Sequence, residues 1–129
     1  MNKDLVKAIE TEAVFDQVEM EKTAGLKWHE HPSFVGVALK HLVTGKKTEG
    51  KFSSHLVRVK KGCEIGWHNH AAEWELHEVI KGEGQCRMEK RNIIYKPGVS
   101  AVIPAKLVHC VQAGEEDLYL LAKFVPALL

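Results

Sequence analysis

The chain has 129 residues, of which 45% are hydrophobic and 27% charged, with a formal net charge of +1. That length suits one domain, that balance suits a soluble globular protein, and near-neutral charge argues against a nucleic-acid partner. No apolar run approaches the roughly 20 residues that span a bilayer, and the N-terminal MNKDLVKAIETEAVFDQ mixes charges of both signs, so a cytoplasmic location is expected. Cys63, Cys86 and Cys110 form no C-x-x-C pair and leave an odd cysteine, which indicates neither a disulfide framework nor a zinc ribbon. Histidine is the unusual residue. There are eight, and seven of them fall between His29 and His77.

In chain order, residues 1–25 read as an arm that starts helical, with Leu5, Ala8 and Ile9 on one face, and loosens into VFDQVEM, which suits a strand equally well. After Trp28 the pattern becomes a series of short segments. Strands are expected at 34–43, 52–59, 64–70, 75–80, 84–90, 92–96, 100–104, 107–113 and 118–125. TGKKTEGK, KKG, KGEG, KPG and AGEED separate them and carry the Gly and Lys of turns. Many short strands at this spacing form an antiparallel sandwich or barrel. The whole chain therefore reads as one all-β domain, its barrel spanning residues 34–125.

Strand parity turns the histidines into a pattern. Residues i and i+2 point to one face, so His68 and His70 project together, as do Glu75 and His77. AAEW (71–74) is long enough for a hairpin connection, which would set two imidazoles beside a carboxylate. Borderline divalent metals take that ligand set. His109 shares an apolar face with Leu107 and Val111, and with three partners waiting it becomes a fourth ligand.

The spacing also carries a family resemblance. Gly62, five residues, His68, one residue, His70, four residues, Glu75, six residues and Gly82 resembles the first cupin motif position for position. Gly98, Pro104 and His109 match the spacing of the second, while Lys106 and Ala113 stand where that motif has glycine and asparagine. The resemblance implies a double-stranded β-helix, or jelly-roll barrel, holding one divalent metal (Fe, Mn, Ni or Zn) on His68, His70, Glu75 and His109. It also implies a homodimer, for which the outer face of the last strand (Tyr119, Leu121, Val125) offers apolar surface.

Other residues divide between pocket and surface. His77 and His55 have inward parity, so both are tentative catalytic residues. His77 would sit roughly 7 Å from Glu75 by strand rise, placed to shuttle a proton to a bound ligand. His29 and His31 read as a solvated loop before Pro32, Glu73 as a turn residue ranked below Glu75, and Trp67 and Trp74 as outward-facing. Cys86 and Met88 read as core filler, and Cys110 as facing away from His109. Four ligands on a six-coordinate ion leave two adjacent positions for a small polar substrate, which suits oxygenase, isomerase or lyase chemistry. The alternative is a non-catalytic small-molecule or sugar-binding barrel, since fold does not fix function.

Overall fold

The computed structural model describes residues 4–129. Helix α1 (Leu5–Thr11) opens the chain, its N-terminus capped by the Asp4 carboxylate, which accepts from the Lys7 N–H. A hairpin of β1 (Ala13–Phe15) and β2 (Met20–Lys22) follows. The buried side of α1 centres on Val6, whereas Leu5, grouped by the sequence with Ala8 and Ile9 on one face, is exposed.

Ten further strands make the barrel: β3 (Trp28–Glu30), β4 (Val37–Val43), β5 (Ser53–Val59), β6 (Glu64–His68), β7 (Trp74–Lys81), β8 (Gly84–Met88), β9 (Arg91–Tyr95), β10 (Ser100–Ile103), β11 (His109–Ala113) and β12 (Leu118–Val125). Six of them form one sheet in the order β10-β7-β12-β5-β4-β3, and four form a second in the order β6-β11-β8-β9. All pairings are antiparallel. The sheets close into a jelly-roll barrel, the all-β architecture expected from the pattern of short segments.

Alternation decides which side chains fill it. On β12, Leu118, Leu120, Ala122 and Phe124 are buried while Tyr119, Leu121 and Lys123 are only half covered. On β7 the inward row is Glu75, His77 and Val79, so two polar side chains occupy core positions. Cys86 and Met88 join the core, and Cys110 lies on the opposite side of β11 from His109, where it is buried too. Trp67 and Trp74 are exposed, as their parity requires.

The arm packs on the outside of the six-stranded sheet. Lys40 on β4 is almost fully buried there and donates to the Thr23 carbonyl at 3.3 Å. Trp28 lies within cation–π distance of both Lys40 and Arg58, and its indole N–H donates to Glu10. The turns explain three motif glycines. Gly62, Gly82 and Gly98 all have positive φ, and at Gly82 the Asp117 carbonyl leaves no room for a Cβ.

Candidate metal centre

His68, His70, Glu75 and His109 converge inside the barrel, each offering a ligand atom within 4.8 Å of the others. The route to that convergence differs from the hairpin expected. β6 and β7 belong to different sheets, and residues 69–73 form the corner between them. His68 and His109 come from neighbouring strands of the four-stranded sheet, where they are register partners. Glu75 faces them across the lumen from the six-stranded sheet. His70 lies in the corner, its backbone carbonyl accepting from the Lys106 N–H at 2.7 Å. Parity picks inward residues without saying which sheet each strand joins.

Hydrogen bonding fixes two of the imidazoles. His68 Nδ1 lies 2.8 Å from the Gly66 carbonyl and His109 Nδ1 lies 2.9 Å from the Leu107 carbonyl. A carbonyl only accepts, so both Nδ1 atoms carry hydrogen, and in its neutral form each ring presents a bare Nε2. Glu75 Oε1 lies 3.3 Å from His109 Nε2 and 3.6 Å from His70 Nε2. Both Glu75 Oε1 and His109 Nε2 are buried without a hydrogen-bond partner, so with a neutral His109 ring two lone pairs face each other across that 3.3 Å. Two orphaned acceptor atoms beside further imidazole nitrogens fit a cation that takes nitrogen and oxygen donors.

The electrostatics agree with that fit. Burial would raise the Glu75 carboxyl, but His77 and His109 outweigh it and hold it well below the carboxylate range, so it is an anion. Burial lowers His68 and His70 below the ordinary imidazole value. Burial acts the same way on His109, but Glu75 and the Leu107 carbonyl outweigh it and the pKa is raised. The Phe124 ring packs against His70 and the Phe34 ring lies near His68, which makes the surroundings apolar.

His77 is buried, yet it stands closer to Glu75 than the pleat spacing suggests. Its Nε2 lies 2.6 Å from Glu75 Oε2, and its Nδ1 lies 2.8 Å from the Tyr95 hydroxyl. The two side chains lean together along the strand and close the backbone separation. A proton shuttle needs a ring nitrogen free to face a substrate, and in this arrangement both are engaged. His55 is fully buried as well, with Nε2 2.9 Å from Ser53 Oγ and Nδ1 2.8 Å from His41 Nδ1. The Phe124 ring packs against both His55 and His70.

The H-x-H pair before Pro32 is more ordered than a solvated loop. His29 sits on β3, exposed and stacked on His41, while His31 Nδ1 accepts from the N–H groups of Ser33 and Phe34. Glu73 occupies the corner and acts on His70 through its charge alone. Tyr95 carried no sequence signal as a site residue. Only the packing of the two sheets, which sets β9 across from β7, reveals it.

Residues 55–124 match the cupin domain family (Cupin_2). A search of curated proteins finds no match. Among solved structures the chain is similar to a predicted oxalate decarboxylase from Thermotoga maritima, at 20% identity over 81% of this chain and 96% of that one, with a TM-score of 0.73. It is similar to KdgF from Halomonas sp. at 20% identity over 78% and 87%, with a TM-score of 0.68. An RmlC-like cupin from Shewanella frigidimarina aligns at 17% identity over 84% and 90%, with a TM-score of 0.71. At these identities the likeness concerns the fold alone.

Proposed function

The chain belongs to the cupin family, and from that premise we propose that His68, His70, Glu75 and His109 hold one divalent transition metal at which the barrel acts on a small polar metabolite. The observation that carries this reading is the pair of orphaned atoms, Glu75 Oε1 and His109 Nε2, buried beside two further imidazoles. A buried polar atom without a partner costs about 1–3 kcal/mol, more when it is charged, and one cation would satisfy both. Iron, manganese, nickel and zinc all accept this donor set. Such an ion supplies Lewis acidity and, where redox-active, one-electron chemistry, which places oxygenase, isomerase and lyase reactions within reach.

The protein's own residues then do the arranging. The Gly66 and Leu107 carbonyls keep the Nε2 atoms of His68 and His109 bare. His77 grips the far oxygen of Glu75. Phe34 and Phe124 set apolar rings beside His68 and His70. His70 keeps 19% of its side chain exposed, so a substrate would approach the centre past its ring.

The second reading is a non-catalytic binding barrel. It is favoured by the engagement of both ring nitrogens on His77 and on His55, which leaves neither ready to move a substrate proton. Elemental analysis of protein purified without a His-tag or chelator tests both. About one equivalent of a transition metal per chain supports the metal centre, and redox-active iron with exchangeable water supports catalysis. Metal-free protein of unchanged stability supports the binding barrel. The proposal includes a homodimer, because Trp74, Val102 and Val125 lie exposed on the outer face of β7, β10 and β12. Sedimentation equilibrium checks it.

A further inference from the structure

Tyr95 is fully buried at the end of β9, and its hydroxyl reaches across to His77 on β7 in the other sheet. Beyond His77 lies Glu75, so three side chains form a file: Tyr95 hydroxyl to His77 Nδ1 at 2.8 Å, then His77 Nε2 to Glu75 Oε2 at 2.6 Å. Phenylalanine would fill the same core position without a hydroxyl to satisfy, and burying a hydroxyl is unfavourable unless it is hydrogen-bonded. This hydroxyl lies 2.8 Å from the imidazole that touches a proposed metal ligand, with the Cys86 thiol beside it.

The direction of the file follows from donor and acceptor capacity. Glu75 is an anion and accepts only, so His77 Nε2 must carry hydrogen. A neutral ring then has a bare Nδ1, which needs a donor, and a phenol O–H supplies it. Burial, with the Cys86 thiol beside it, holds Tyr95 far above the ordinary phenol range, so the hydroxyl keeps its proton. Without that donor the other tautomer competes, in which the Nε2 lone pair faces the carboxylate and repels it.

We propose that Tyr95 is a positioning residue for the metal centre: its hydroxyl fixes the tautomer of His77, and His77 then holds Glu75 so that Oε1 alone faces the three imidazoles. The inference rests on the metal-site reading above. It explains why one Glu75 oxygen is hydrogen-bonded and the other orphaned. A carboxylate gripped in this way would offer a metal a single oxygen, and outer partners that orient a ligand commonly govern affinity about 10–100-fold.

Two measurements test it. In the metal-free wild type, long-range proton–nitrogen NMR of the histidine rings should show His77 protonated at Nε2 and bare at Nδ1. Hydrogen on Nδ1, alone or with Nε2, overturns the inference, and this result needs no variant to fold. The second measurement is cobalt(II) affinity, by competition with a chelating dye, for wild type, Tyr95→Phe, His77→Gln and the double variant. Tyr95→Phe should weaken binding about 10–100-fold in the wild-type background. In the His77→Gln background it should change affinity less than about twofold, because glutamine offers Glu75 an amide N–H that needs no tautomer fixed. Equal losses in both backgrounds would mean that Tyr95 matters only for packing, and overturn the inference. Wild type that takes up no cobalt overturns the metal-site reading and this inference with it, whereas wild type and Tyr95→Phe binding equally overturns the inference alone.

Discussion

The barrel holds two groups of histidines, and their nitrogens are occupied in opposite ways. In the first, His68 and His109 spend Nδ1 on backbone carbonyls and turn Nε2 toward Glu75, whose Oε1 has no hydrogen-bond partner. In the second, His29 stacks on His41 at 4.7 Å, His41 Nδ1 meets His55 Nδ1 at 2.8 Å, and His55 Nε2 meets Ser53 Oγ at 2.9 Å. Among the described residues no carboxylate comes within ion-pair distance of this second line. One group leaves donor atoms that a cation could satisfy, and the other closes on itself. Histidine density in the sequence marks both equally, and what separates them is the partner of each ring nitrogen.

The sharpest way to break this contrast is to remove a ring from each group. His109→Ala should lower transition-metal affinity roughly 100-fold or more, measured by chelator competition, because it deletes a proposed ligand and not merely its support. The double change His29→Ala, His31→Ala should leave stoichiometry and affinity unchanged, since neither side chain belongs to the converging set. Full metal retention in the first variant, or loss in the second, would mean that the two groups had been assigned the wrong way round.

The four converging residues were legible in sequence, though by a partly mistaken route. Inward parity depends only on each strand being extended, so His68, Glu75 and His109 can be chosen without any topology. The hairpin inferred for 71–74 needed β6 and β7 to pair, and they lie in different sheets. The residues survive that error because a closed barrel brings inward side chains together from either sheet. Contacts depending on register were not legible. Tyr95 reaches His77 only through the meeting of two sheets, and His55 takes its partners from His41 and Ser53. The short β3 escaped for a different reason: three residues around an H-x-H pair, followed by proline, carry no alternation long enough to register as a strand.

Acid gives the next largest effect, and it acts on the second group. Burial, then the neighbouring His41, lower the His55 pKa to about 4, against 6.5 for an exposed imidazole. A 2.8 Å contact between two Nδ1 atoms accommodates one hydrogen, so charging both rings breaks it. The folded pKa lies below the unfolded one, so the unfolded chain binds more protons in acid. The stabilisation is complete above about pH 6.5 and is lost as pH falls toward 4, amounting to about 3 kcal/mol. His55→Gln should flatten the stability profile in that window by up to about 1.4 kcal/mol per pH unit, measured by urea unfolding of metal-free protein. His31, His41, His68 and His70 are also lowered by burial and keep part of the acid limb in the variant, so the comparison is between slopes. Identical slopes would show that His55 contributes no linkage.

The smallest effect concerns the support of the first group. Lys106 stands where the second motif has glycine, and its φ is +73°, the left-handed region that glycine tolerates and lysine does not favour. Its backbone clamps the corner that carries His70: the N–H donates to the His70 carbonyl at 2.7 Å, and the carbonyl accepts from the Asn69 amide at 3.2 Å. Both bonds are independent of the lysine side chain, so Lys106→Gly should keep them while removing the steric cost, about 1–2 kcal/mol for an L-residue. Glycine returns roughly 0.5–1 kcal/mol of that through its freedom in the unfolded chain. The expected net gain is about 0.5–1 kcal/mol in urea unfolding, with metal affinity unchanged. Lys106→Ala retains the strained backbone without the cation, so it should gain nothing and thereby separates strain from charge. If Lys106→Gly instead loses stability, the lysine side chain must make contacts worth more than the strain. The corner beneath His70 would then depend on side-chain packing as well as on its two backbone clamps.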